Sequence, residues 1–219
     1  MGLPARIFVL LALGLELAYI FLRLPAGAGF PNPELARMIT LHLPNAYIAC
    51  ILAFGAGWYG IRYLRGRNLL DDARSVVAAQ LAALYAFLTT ATGSVFAKEQ
   101  WGSYWNWDPR QTCVAALLLV YAAYFLLRAS VDDPDKRAAI AAVYVLFASV
   151  LTPTLGYVIP RFFIDQSLHP KVASFDKWYR LGIYPTSLGL LMLTLWIQRL
   201  AVRGERLRLG IESLEESAA

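Results

Sequence analysis

Charged residues are scarce in this sequence, and long stretches have none. Asp, Glu, Lys and Arg together make up 16% of the chain, whereas hydrophobic residues make up 58%. A soluble domain usually carries about a quarter charged residues. Five segments of 17 to 23 residues contain no charged side chain at all. Because a helix needs roughly 20 apolar residues to cross the hydrocarbon core of a bilayer, this composition argues against a soluble domain and predicts a membrane protein.

Cysteine and histidine are rare as well, and this limits the chemistry. The two cysteines, Cys50 and Cys113, fall inside predicted spans, where small apolar packing is a more common role than a disulfide or a metal pair. The two histidines, His42 and His169, make zinc a weaker fit, because zinc usually takes three or four protein ligands. The sequence has no nucleotide-binding motif, so any energy for its work must come from a partner.

The five uncharged segments, with a sixth apolar stretch near the N-terminus, predict an all-α fold: a polytopic membrane protein built as a six-transmembrane-helix bundle, with a single membrane domain over residues 1–219. The predicted spans are about 7–24, 43–64, 75–97, 110–128, 138–160 and 181–199, followed by a tail over 200–219. The first span contains Glu16, and a cleaved signal peptide is its rival interpretation. Its length, and the even number of spans that it completes, favour a retained helix.

The basic residues predict the orientation in the membrane. Twelve of the twenty Lys and Arg fall on the side of the N-terminus and eight on the other side, so the positive-inside rule places both termini and the tail in the cytoplasm. Because these residues lie beside span ends, the net charge of +5 does not indicate nucleic-acid binding. The outer face then carries segments 25–41, 98–110 and 161–180, and both histidines lie on that face.

The second outer segment is unusually rich in tryptophan. Three of the six tryptophans, Trp101, Trp105 and Trp107, lie within seven residues of one another, together with Tyr104. Aromatic rings often mark the interface between membrane and water, and this is the simplest interpretation of any one of them. Three indoles in one loop favour a flat aromatic surface, which suits a planar apolar ligand.

The end of this loop adds a charge. Asp108 and Pro109 fit the N-cap and the first position of a helix, which predicts that the fourth span begins here with Arg110 in its first turn. A cation at membrane depth needs an anion or water, and arginine pairs well with carboxylates. With His42 and His169 as opposed nitrogen ligands, the set suits haem, which has a planar macrocycle, two propionates and two axial positions. Either histidine could instead be structural.

Residues 101–112 read Trp-Gly-Ser-Tyr-Trp-Asn-Trp-Asp-Pro-Arg-Gln-Thr and resemble the tryptophan-rich WWD signature of the haem-handling proteins of cytochrome c biogenesis. Six spans, with one histidine before the motif and one after it, look most like the CcmC (haem exporter C) family within the wider CcmC, CcmF and CcsA group. The resemblance implies that haem b is held at the outer face, with His42 and His169 as axial iron ligands. It makes motif residues of Trp101, Trp105, Trp107 and Asp108. Tyr104 and Arg110 complete the predicted site, the arginine as a propionate contact chosen for its charge and position.

The resemblance also implies partners. A CcmC-type protein delivers haem to a CcmE-like periplasmic chaperone, working with the CcmA/CcmB ABC transporter and a CcmD-like small subunit in the bacterial cytoplasmic (inner) membrane. Such a component is not a conventional enzyme, although it assists the attachment of haem to the chaperone. The Asp-Pro core of the motif is also close to the CcsA and ResC relatives, so a component of a cytochrome c synthase is one alternative. A bis-histidine membrane cytochrome that transfers electrons is another, and a small-solute transporter using Glu16 is a third.

Overall fold

The computed structural model describes residues 2–169 and 175–218. The helices in that part of the chain are α1 (Leu3–Leu22), α2 (Ile39–Gly66), α3 (Leu69–Trp101), α4 (Pro109–Ala129), α5 (Pro134–Pro153), α6 (Ile159–Phe162) and α7 (Lys177–Ala218). The shorter elements are a 3-10 turn before α2, a π-helical turn between α5 and α6, and a 3-10 turn after α6: Leu35–Met38, Thr154–Val158 and Ile164–Gln166. Among the described residues, six helical stretches are long and apolar enough to cross a membrane. This confirms the predicted all-α membrane protein with six spans.

Several helices extend beyond the uncharged segments that predicted them. α3 covers 69–101 rather than 75–97, and α7 continues through Ala218, across the segment predicted as a tail. α2 begins at Ile39, after a 3-10 turn that already winds the chain, so Pro44 lies inside the helix and not in its first turn. Hydropathy marks the part of a helix that crosses hydrocarbon, whereas the ends of a helix are set by capping in the polar layers.

Caps and one glycine define the loop that carries the tryptophans. Asn68 is the N-cap of α3, and its side chain accepts a hydrogen bond from the backbone N of Leu70; Gly102 is the C-cap and has a left-handed φ of 83°. A left-handed residue is a common way to end a helix sharply, and glycine adopts it without strain. The chain therefore leaves α3 abruptly and enters α4 only a few residues later, at Asp108.

α2 is the central helix of the bundle. It packs against α3, α5 and α7, while α1 contacts α7. Small side chains keep the contacts close: Ala56 on α2 and Ala82 on α3 are both fully buried, and a Cβ on Gly57 would lie 2.6 Å from Oγ of Ser149 on α5. Such residues let helix backbones approach one another in lipid, where no hydrophobic effect drives association.

Buried ion pairs hold the end of the bundle that lies away from the tryptophan loop. Arg128, near the end of α4, donates two hydrogen bonds of 2.7 and 2.9 Å to the carboxylate of Asp72 on α3. The neighbouring Asp71 pairs with Arg62 on α2 and with Arg74. Asp72 and Asp71 are only 9% and 4% exposed. These contacts fix α2, α3 and α4 to one another at this end, and a cavity lies at the other.

Candidate functional site

A cavity of about 1090 Å³ lies at the end of the bundle that carries the tryptophan loop. Its walls come from the start of α2, the end of α3, the start of α4, the π-helical turn and the neighbouring loops. Four of the eight predicted site residues line it: His42, Trp105, Arg110 and His169. Further aromatic side chains in the wall are Phe30, Tyr47, Tyr157, Phe175 and Tyr184. Ligand pockets usually enclose ~300–1,000 Å³, so this cavity has room for a large planar ligand.

His42 is the fourth residue of α2 and is held by a threonine on α3. Its Nδ1 lies 3.1 Å from Oγ1 of Thr92. The single hydroxyl proton of Thr92 is already donated to a backbone carbonyl, that of Leu88 at 2.7 Å, so the hydroxyl accepts and Nδ1 of His42 is the donor. The other ring nitrogen, Nε2, then keeps its lone pair. A histidine in this tautomer is ready to bind a metal through Nε2.

Gly93 makes room for the His42 ring. A Cβ at this position would lie 2.9 Å from Cε1 and 3.4 Å from Nδ1 of His42. Real Cβ atoms do not approach other atoms as closely as the first of these distances, so any larger residue would push the ring aside. The absence of a side chain at Gly93 and the hydroxyl at Thr92 together set the orientation of the histidine.

Asp108 connects the start of α4 to the segment that ends in His169. Its Oδ1 accepts a hydrogen bond of 2.8 Å from the backbone N of Arg110, which confirms the predicted N-cap. Its Oδ2 accepts from Oγ of Ser167 at 2.8 Å and from the backbone N of Leu168 at 2.7 Å. The same Oδ1 lies 3.1 Å from Nδ1 of His169. One buried carboxylate, 2% exposed, therefore joins two segments about 60 residues apart in the chain.

The charge of Asp108 determines which proton His169 carries. Burial alone would raise the pKa of this carboxyl, but the hydrogen bonds that it accepts from His169, from the backbone of Arg110 and from Ser167 outweigh burial and hold the pKa well below its usual range. Asp108 is therefore a carboxylate at neutral pH and can only accept. Nδ1 of His169 is the donor, and its Nε2 is left with the lone pair, as in the carboxylate–histidine–metal arrangement.

Trp101 supports His169 from the side. The two rings meet at an angle of 62° with their centroids 5.0 Å apart, and an edge-to-face contact continues from Trp101 to Phe96 at 5.8 Å and from Phe96 to Phe30 at 5.9 Å. Trp101 is not one of the described residues that line the cavity. Its place is behind the histidine, where it limits the positions that the imidazole can adopt.

The remaining rings of the tryptophan loop face in two directions. Trp105 lines the cavity, and its ring meets that of Trp107 edge-on at 5.9 Å. Trp107 has a positive φ of 54° and is 77% exposed, and Tyr104 is 58% exposed beneath the amine of Lys98. The side chain of Gln111 bonds the backbone of Asn106 and of Tyr104 and so holds the loop in this shape. Trp105 belongs to the cavity wall, and Tyr104 and Trp107 belong to the outer surface.

Two arginines in the cavity wall supply positive charge. Arg110, in the first turn of α4, lies there, and its Nε is buried without a hydrogen-bond partner among the described residues. Arg161, in α6, lines the same cavity and is exposed. A buried guanidinium nitrogen with no partner is costly, and an anionic group of a ligand would satisfy it.

Among the residues of the site that were not predicted from the sequence are Thr92, Ser167 and Arg161. Arg161 begins the third outer segment, eight residues before His169, so its charge and place were a usable signal. Thr92 and Ser167 carried no such signal, because each matters only through a contact made in three dimensions. Cys50 and Cys113, for which the sequence favoured a packing role, are both free thiols. Cys50 lies in the cavity wall, and Cys113 is partly buried.

The amino-acid sequence matches the family model described as Heme exporter protein C over residues 3–211. Relatives with that description include a protein of Bradyrhizobium diazoefficiens, 28% identical over 97% of this chain and 81% of the relative. A protein of Paracoccus denitrificans is 28% identical over 85% of this chain and 82% of its own length. One of Escherichia coli K12 is 27% identical over 77% and 72%. The matched range of the family model includes every residue that lines the cavity.

Proposed function

The chain belongs to the Heme exporter protein C family, and on this basis we propose that it delivers haem for cytochrome c maturation. It binds one haem b in the cavity at the outer face of the bacterial cytoplasmic membrane, with both termini in the cytoplasm, and passes it to a CcmE-like periplasmic chaperone. Haem is its cargo. The CcmA/CcmB transporter and a CcmD-like subunit are its partners, and the chain acts as a haem-transfer component.

The observation that carries this proposal is the matched state of the two histidines. His42 and His169 are the only histidines of the chain, they line one cavity, and each directs Nδ1 to an acceptor of its own. Each Nε2 is therefore available to an iron whose equatorial positions are already filled by a porphyrin. Histidines with purely structural roles need not line the same cavity or adopt the same tautomer, whereas two axial ligands of one iron must do both.

The arginines fit the acidic edge of the same ligand. Haem b carries two propionates, and Arg110 and Arg161 are two cations in the wall of this cavity. The buried Nε of Arg110, which lacks a hydrogen-bond partner among the described residues, would gain one from a propionate oxygen. The Trp105 ring in the wall offers an aromatic face to the macrocycle. Cavity volume, axial donors and cations thus suit one chemical class of ligand.

Delivery is favoured over electron transfer by where the histidines lie. His42 is in the first turns of α2, and His169 is in the loop after α6, so the iron would be held at the mouth of the bundle and not deep between its spans. The family match over residues 3–211 supports the CcmC-type system rather than a CcsA-like synthase.

The test is a spectrum of the detergent-purified protein titrated with haem. We expect the sharp bands of a six-coordinate, low-spin, bis-histidine haem, and a loss of these bands in His42→Ala and His169→Ala that added imidazole restores. Bands that persist unchanged in both variants would refute the ligand assignment. Transfer of the haem to a soluble CcmE-like acceptor, without redox exchange with quinone, then separates delivery from electron transfer.

A further inference from the structure

The two histidines have the same tautomer but not the same support. Nδ1 of His42 donates to the neutral hydroxyl of Thr92, whereas Nδ1 of His169 donates to the carboxylate of Asp108. A hydrogen bond to an ionised acceptor is roughly twice as strong as one between neutral groups. The electron density that it moves into the ring makes Nε2 more basic and a stronger donor to a metal.

The carboxylate is also the more rigid of the two acceptors. Asp108 is 2% exposed, and hydrogen bonds from the backbone N atoms of Arg110 and Leu168 and from the hydroxyl of Ser167 hold both of its oxygens. The Trp101 ring closes the other side of His169. The contacts of His42 are with neutral groups: the Thr92 hydroxyl, which a rotation about a single side-chain bond would withdraw, and the backbone of Thr89.

We propose that the two axial positions are unequal, with His169 as the strong ligand and His42 as the ligand that leaves the iron first. This rests on the proposed function. At hand-over the bond between iron and Nε2 of His42 breaks, the nitrogen keeps its electron pair, and a donor group of the acceptor forms the new bond. The iron keeps its oxidation state and no proton has to move. Asp108 and Thr92 act through the histidines and are positioning residues.

The direction of release agrees with the architecture. His42 belongs to a membrane-spanning helix, whereas His169 belongs to the loop that joins α6 to α7. Haem that first loses His42 stays bound on the side of the loop. The exposed rings of Tyr104 and Trp107 lie in the tryptophan loop, on the side of His169, where an acceptor can meet haem that is still held by His169.

The decisive experiment uses carbon monoxide as a probe of the first open position. CO binds ferrous haem where a ligand has left, and the C–O stretching frequency reports the donor strength of the ligand opposite. If CO replaces His42, the opposite ligand is His169, so Asp108→Asn shifts the frequency upwards and Thr92→Val leaves it unchanged. A shift in Thr92→Val with none in Asp108→Asn would reverse the order and overturn the proposal, and no shift in either would overturn it too.

These substitutions should leave the fold intact, so that their effect on haem can be measured. Asparagine caps a helix about as well as aspartate, so Asp108→Asn removes the charge and leaves the start of α4 in place. Haem affinity should fall about 10–100-fold in Asp108→Asn, as is usual when such a supporting group is lost, and less in Thr92→Val.

A second pair of variants removes the histidines themselves. His42→Ala should retain a five-coordinate haem, and His169→Ala should lose its haem faster to a soluble haem scavenger. The same haem half-life in both single variants contradicts the inequality. A wild-type protein without bis-histidine bands instead refutes the proposed function itself.

Discussion

Nδ1 of His169 lies 3.1 Å from Oδ1 of Asp108, the residue whose side chain also caps α4. A capping interaction is local, and it would be satisfied by the backbone N of Arg110 alone. The second role, orienting a histidine that follows 61 positions later in the chain, needs the whole bundle to be assembled. The tryptophan loop therefore reaches the cavity in two ways: through Trp105 in the wall, and through Asp108 behind the histidine.

The space at Gly93 gives a prediction with a matched control. Gly93→Ala should lower haem affinity about tenfold or more, because the new Cβ would lie 2.9 Å from Cε1 of His42 and displace the ring from Thr92. Gly55→Ala, in α2 where a Cβ meets nothing within 4 Å, should leave haem binding unchanged. Alanine favours both helices by about 0.5–1 kcal/mol over glycine, so neither variant should unfold. Haem titration followed by thermal unfolding checks both outcomes, and equal affinities for the two variants would contradict the role of Gly93.

The sequence was most informative about two kinds of feature: membrane spans, which the lipid bilayer constrains, and helix starts, which depend on neighbouring residues. Long apolar segments, five of them without any charge, predicted the six spans, since a bilayer penalises charge at every turn of a crossing helix. Asp108 and Pro109 predicted the start of α4 from the chemistry of capping alone, and the structure confirms it. The extent of α3 was underestimated, because Asp72 pairs with Arg128 of α4 and so continues α3 beyond its uncharged core.

The contacts that orient the two histidines could not be predicted from the sequence. In the sequence, nothing distinguishes Thr92 from other polar residues in an apolar helix, because its contact with His42 joins positions 50 apart in the chain. The tryptophan motif gave no way to tell which ring would face the cavity: the structure places Trp105 in the wall, Trp101 behind His169, and Trp107 and Tyr104 outside. Such divisions depend on the path of the loop, including the positive φ of Trp107.

The two arginines should contribute unequally to haem affinity. We expect Arg110→Gln to weaken binding about 10–100-fold, since a hydrogen bond to a charged group is worth about 1.5–3 kcal/mol. Arg161→Gln should cost less, because Arg161 is exposed and its charge is screened by solvent. Haem dimethyl ester, which lacks both carboxylates, should bind equally to the wild type and to Arg110→Gln. The exposed Arg180, also predicted to lie on the outer face, provides the control Arg180→Gln, and an equal loss there would point to a general charge effect instead.

The ion pair at the opposite end of the bundle should govern stability and not the site. Arg128→Met leaves the carboxylate of Asp72 buried without its partner, and breaking a buried pair in this way costs about 3–5 kcal/mol. Lys136→Met removes an exposed pair with Asp133, 3.7 Å long, and should cost about 0–1 kcal/mol. Thermal unfolding in detergent measures both, and the double variant Asp72→Asn with Arg128→Met should recover part of the loss. The haem spectrum of the folded fraction should match that of the wild type.

The tryptophan loop should separate into residues that hold haem and residues that pass it on. Trp101→Leu removes the ring that supports His169 at 5.0 Å, so the low-spin bands should weaken and haem should dissociate faster. Trp107→Leu changes a ring that is 77% exposed, so haem affinity should stay at the wild-type level while transfer to a CcmE-like acceptor slows. The measurements are haem titration and a stopped-flow transfer assay on each variant. If Trp107→Leu lost haem as readily as Trp101→Leu, the outward ring would be part of the binding site, and the surface for the acceptor would have to lie elsewhere.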